Sequence, residues 1–217
     1  MKFPNAAKGV KKLFTAQVLS LIASIATIIG IILLIVTDAA DKANSEGGAV
    51  AAGIGTIILM AAAAVLVLIA AIMSLVGIIQ AAKDEGAFKT ALLAIAISLV
   101  AAIVAAIFSS NGTVQSVCQI IQNIMSIAVT VFVITGVSNL ADKLNDAEVS
   151  QKGRNILKII VCVYVLALIA TGISLIFGGT FASVTAAILA IVATVLNIIG
   201  YFLYLSLLNK GKNMLAE

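Results

Sequence analysis

Gln115, Gln119, Gln122 and Ser126 follow i, i+4, i+7, i+11 spacing, with Asn123 and Thr130 beside them. On an α-helix these positions share one face, and here they lie inside an apolar run whose other polar groups are hydroxyls and one thiol. Primary amides carry neutral donors and acceptors together. The stripe can therefore line a cavity for a polar solute or an ion, or it can hydrogen-bond between helices. The second use is the preferred reading, with Asn197, Thr194, Ser74 or a second subunit as partners. An unpartnered amide in hydrocarbon costs several kcal/mol, so the stripe is expected to face protein or water and not lipid.

The remaining polar residues offer less. Asp142, Asp146 and Glu148, like Asp38, Asp41 and Glu46, could hold a divalent cation, but neither set has the alternating acids and central glycine of a calcium loop. Both are expected to be solvated loops. Tyr164, Tyr201 and Tyr204 read as anchors near helix ends, and Cys118 and Cys162 as small buried hydrophobes. Asn111-Gly112-Thr113 fits a glycosylation acceptor but lies in a loop too tight against the membrane to serve. The chain has no histidine. Without a histidine or an acid at membrane depth, no nucleophile–base pair, carboxylate dyad or metal site can be assembled there. An enzyme is not expected, and neither is a cofactor. A proton-coupled carrier is disfavoured for the same reason.

The elements that must carry these residues follow from composition. The chain of 217 residues is 63% apolar and 10% charged, far from the roughly 25% charge of soluble domains. Six runs are long enough to cross a bilayer: about 13–37, 50–80, 88–109, 113–137, 156–177 and 181–208. The first follows a basic start, but it is too long for the apolar region of a cleaved signal, so it is expected to be retained. The expected fold is an all-α integral membrane protein: a six-helix bundle in one membrane domain over residues 1–217, with short loops.

Orientation follows from the cations. Twelve of the thirteen lysines and arginines fall in segments on one side: Lys2, Lys8, Lys11, Lys12, Lys83, Lys89, Lys143, Lys152, Arg154, Lys158, Lys210 and Lys212. Lys42 alone falls on the other. The positive-inside rule places both termini in the cytoplasm of a cell carrying this multi-pass protein in its membrane. The basic N-terminal segment is expected to attract anionic lipid at the cytoplasmic face. No basic stripe with interleaved aromatics is present, so nucleic acid is not an expected partner. Phe14 and Phe88 at inner ends, and Phe108, Phe177 and Phe181 at outer ends, fit an interfacial belt.

The spans divide into three hairpins, each starting after a cytoplasmic cation. Gly77-Ile-Ile-Gln80-Ala-Ala-Lys83 and Gly136-Val-Ser-Asn139-Leu-Ala-Asp142-Lys143 are the most alike of the returning ends. Small residues recur every fourth position: Ala94, Ser98, Ala102, Ala106 and Ser110; Ala16, Ser20 and Ser24; Ala170, Ser174 and Gly178; Ala182, Ala186, Ala190 and Thr194. Such ridges let backbones approach where lipid supplies no hydrophobic drive between helices. Two functions fit. One is association, assembly or immunity within the membrane, as a homo-oligomer or with other membrane subunits. The alternative is an uncharged channel, facilitator or substrate-binding transporter subunit whose cavity is lined by the fourth span. The only proline is Pro4, which disfavours a carrier built from broken helices.

Overall fold

The computed structural model describes residues 2–42, 46–177 and 179–216, and side chains outside 37–54, 167–190, 193 and 197. The chain forms α1 (Pro4–Lys42), α2 (Glu46–Ala81), α3 (Gly86–Ile107), α4 (Gly112–Lys143), α5 (Ala147–Phe177) and α6 (Gly179–Ala216). Among the described residues, four stretches are long and apolar enough to cross a membrane: Pro4–Val36, Gly55–Ala81, Gly86–Ile107 and Gly112–Lys143. The fold is therefore all-helical and of membrane type. Much of expected spans five and six lies where side chains are not described, as do the acids Asp38, Asp41 and Glu46 and the ridges over 170–190.

Local chemistry sets the helix ends. Pro4 opens α1, where its missing N–H costs nothing. Asn111 Oδ1 accepts from Thr113 N at 3.1 Å and Val114 N at 3.2 Å, capping α4. This is the structural use of the Asn-Gly-Thr sequence. Asn145, at φ 59°, turns the chain between α4 and α5, a left-handed conformation that asparagine tolerates better than most residues. Asp146 Oδ1 then accepts from Val149 N at 3.0 Å to cap α5.

The helices run past the expected spans: α1 begins at Pro4, α4 continues to Lys143 and α6 to Ala216. Many cations expected in tails and loops are thus on helical turns.

The chain clusters into two compact units, residues 11–77 and residues 1–10 with 78–217. In the first unit the described buried positions other than Leu13 repeat every seven residues: Ala16, Ala23 and Gly30 on α1, and Thr56, Ala63, Ala70 and Gly77 on α2. A Cβ at Gly30 would lie 2.9 Å from Met60 Sδ, so α2 approaches α1 closely there. The two expected four-residue ridges that lie among described side chains, on α1 and α3, do not persist. Ser20 is half-buried and Ser24 exposed; on α3, Ala94 is buried and Ser98 half-buried, whereas Ala102, Ala106 and Ser110 are exposed. The reason is rotation. A four-residue step overshoots the helical turn by about 40° and leaves the face after two or three steps, whereas a seven-residue step drifts by only about 20°.

In the second unit α4 is central, packing against α3, α5 and α6. Its core lies at the lysine-rich end. Phe88, Ile134, Val137, Leu140, Ile156, Leu207 and Leu208 are essentially inaccessible, while Leu99, Val100, Ile103, Ile120, Ile124, Val161 and Ile198 are exposed. In a membrane-type fold such apolar faces meet acyl chains, and helix packing does not have to cover them. Glycines admit the neighbours of α4. A Cβ at Gly136 would lie 2.6 Å from Phe88 Cε2, one at Gly211 would lie 2.8 Å from Val137 Cγ1, and one at Gly153 would collide with Ser138 Oγ. Phe88 is therefore a core residue seated over Gly136, not part of an interfacial belt. Tyr204 is likewise buried, unlike an interface anchor, and Cys162 is exposed where a buried thiol was expected.

Candidate functional site

The contact between Phe88 and Gly136 fixes the level of the α4 stripe. Lys89 follows Phe88, so Gly136 lies near the lysine-rich boundary, and the part of α4 running back toward Gly112 accompanies the apolar length of α3. Gln115 is then at the opposite boundary, and Ser126 lies about 16 Å deeper at 1.5 Å per residue.

Gln115, Gln119, Asn123 and Ser126 are exposed and Gln122 is half-buried. Cys118 marks the inward side of the same helix. Gln115 Nε2 donates to Ser109 O at 2.9 Å, closing the α3–α4 turn. Hydroxyls elsewhere on α4 donate to carbonyls one turn back: Ser116 to Gly112 O, Thr130 to Ser126 O, Thr135 to Val131 O and Ser138 to Ile134 O. Among the described residues no hydrogen bond joins Gln119, Gln122 or Asn123 to another helix. The side chain of Asn197 lies outside the described set, and Thr194 is exposed.

A second cluster, which sequence reading did not assemble, lies at the lysine-rich end. Glu85 is only 8% exposed, and its carboxylate accepts from Lys143 Nζ at 2.5 Å and Asn139 Nδ2 at 3.1 Å. Burial pushes the Glu85 carboxyl up, but the hydrogen bonds from Lys143 and Asn139 and the charge of Lys143 outweigh it, so the group is held below its ordinary value. Lys143 Nζ also stands 5.9 Å from the Phe3 ring centroid, at the outer limit of a cation–π contact. Asp84 accepts from Ala6 N at 2.7 Å and Asn5 Nδ2 at 3.0 Å, placing a negative charge on the first turn of α1, where the helix dipole favours it. These bonds fasten the N-terminal turns to the α2–α3 and α4 ends. Their one sequence signal was Asn139, at the position Gln80 holds in the matching helix end.

The acids of the α4–α5 turn have separate protein partners. Asp142 pairs with Arg154 at 3.1 Å, Glu148 with Lys210, and Asp146 caps α5. Hydrogen bonding from Ser150, then from Arg154, holds Asp142 below the ordinary carboxylate range, and the Lys210 contact does the same for Glu148. No group of three metal-ligating side chains occurs among the described residues. Two cavities open along the first turns of α5. One, of about 450 Å³, is lined by Asp142, Ser150, Gln151, Arg154, Asn155 and Lys158. The other, of about 340 Å³, shares Gln151 and Asn155 and adds Glu148, Lys152, Ile156 and Leu203. Neither reaches the α4 stripe. No protein-family model matches the chain, and no similar curated protein and no similar solved structure was found.

Proposed function

We propose that the protein acts by lateral association within the membrane, without catalysis, and that the amide face of α4 is the contact through which two copies pair. The supporting observation is the exposure of Gln119 and Asn123, with Gln122 half-buried, on a membrane-type helix where, among the described residues, no hydrogen bond to a neighbouring helix serves them. Facing acyl chains, each amide would cost several kcal/mol, so a partner must cover them. A second copy supplies one. Every amide carries donor and acceptor groups, so the stripe is complementary to itself across a two-fold axis along the membrane normal. Each interhelical bond contributes about 0.6 to 2 kcal/mol. In this reading six helices span the cell membrane with both termini in the cytoplasm, an orientation that the lysine and arginine distribution supports.

The double substitution Gln119→Leu with Gln122→Leu tests the reading. These side chains make no described bond within the chain, so the fold and its melting temperature should be retained while the oligomer dissociates. Size-exclusion chromatography with light scattering reads the second effect, and circular dichroism the first. An unchanged oligomer combined with loss of solute uptake in proteoliposomes would instead make the stripe the wall of a permeation path.

A further inference from the structure

The groove on the first turns of α5 has the composition of an anion site, and its position selects the anion. Arg154 and Lys158 are one turn apart and both line the 450 Å³ cavity, with the amides of Gln151 and Asn155 between and beside them. Arg154 is oriented by its 3.1 Å bond to Asp142, which leaves most of its five N–H donors free for a ligand. Lys158 is exposed and makes no described hydrogen bond or ion pair. Lys152, at the adjoining cavity, is held by Ser206 Oγ at 2.6 Å. Asp142 and Glu148 are the opposing charges, and each is engaged, by Arg154 and Lys210.

The same helical face then changes character. Positions 151, 154, 158, 161 and 165 alternate steps of three and four and so form one stripe. After the two cations it continues as Val161, 58% exposed, and Val165, 47% exposed. A free phosphate would use only the first half of this stripe. A phospholipid would use both, with its headgroup on Arg154 and Lys158 and an acyl chain along the valines. We propose that this face of α5 binds an anionic phospholipid, with the phosphodiester held by Arg154, Lys158, Gln151 and Asn155.

The site can be tested on the full-length protein in detergent by native mass spectrometry with added phosphatidylglycerol, phosphatidylcholine of the same acyl chains, or inorganic phosphate. Phosphatidylglycerol should be retained in preference to phosphatidylcholine, and millimolar phosphate should not displace it. Lys158→Gln, which breaks no described contact and so leaves the fold in place, should weaken retention about five-fold, and Arg154→Gln with Lys158→Gln about 25-fold, from about 1 kcal/mol per cation near a lipid surface. Lys83→Gln with Lys89→Gln makes the same change in net charge elsewhere, at two exposed lysines with no described side-chain contact, and should have no effect. Equal retention of both lipids, full displacement by phosphate, or equal losses in the two double variants would overturn the assignment.

Discussion

Gly153→Ala should destabilise the protein by about 2 kcal/mol, although alanine is the better helix former by about 1 kcal/mol. The added methyl group would occupy the space of Ser138 Oγ, where α5 crosses α4. Ser138 is buried and its hydroxyl donates to Ile134 O at 2.9 Å. Turning the hydroxyl aside forfeits that bond in a dry environment, and keeping it forces the helices apart. Ser138→Ala removes the obstructing oxygen and leaves its Cβ 3.3 Å from the new methyl, a separation that a shift of a few tenths of an ångström relieves. The double variant should therefore melt close to the parent, while Gly153→Ala alone melts well below it in detergent by circular dichroism. A single variant as stable as the parent would mean that α4 and α5 are not in this register.

Lys143→Met should have an effect of similar size for an electrostatic reason. It leaves Glu85, 8% exposed, with Asn139 as its remaining side-chain partner. Breaking a buried ion pair costs more than the pair contributes, because the surviving charge stays desolvated. Lys143 is half exposed, which places the cost near the low end, about 2 kcal/mol at neutral pH. Adding Glu85→Gln removes the stranded charge and should restore most of the loss. The pH dependence follows from the depressed Glu85 carboxyl. A group held below its ordinary value of 4.5 contributes stability that is present above that value and lost as pH falls through its folded value. The parent should thus lose stability at pH below about 4.5, and Glu85→Gln should flatten that loss. In Lys143→Met, burial acts on Glu85 without its main compensation, so protonation relieves the stranded charge and this group's acid-linked loss should disappear or reverse. A Lys143→Met protein with the parent's acid profile would contradict the pairing.

Much of the helical plan was legible because hydrocarbon imposes it. Uninterrupted apolar length is needed to cross a bilayer, and the stretches around 13–37, 50–80 and 113–137 fall within helices that have it, while 88–109 overruns α3 by two residues. Two breaks were legible too, between 80 and 88 and between 109 and 113, whereas the loop expected over 138–155 is helical except at 144–146. Packing was less so. Ala102 and Ala106 have the same residue type as Ala94 and Ala101, yet only the latter pair is buried, because rotation over successive turns, not residue type, decides which small side chain meets a neighbour. Phe88 could not be told from an interfacial anchor until Gly136 was placed opposite it. The Glu85 cluster draws on residues more than fifty positions apart, and nothing in local spacing joins them. In the amide stripe, the shared face was visible from spacing alone. Its outward aim was not, since periodicity defines a face without saying what it meets.

Cross-linking in native membranes tests association through that face most directly. With Cys118→Ser and Cys162→Ser in the background, Asn123→Cys should give a disulfide-linked dimer on mild oxidation. Leu93→Cys, on the exposed face of α3, should remain monomeric under the same conditions. A monomer at both positions, or equal cross-linking at both, would contradict pairing through the amide face of α4.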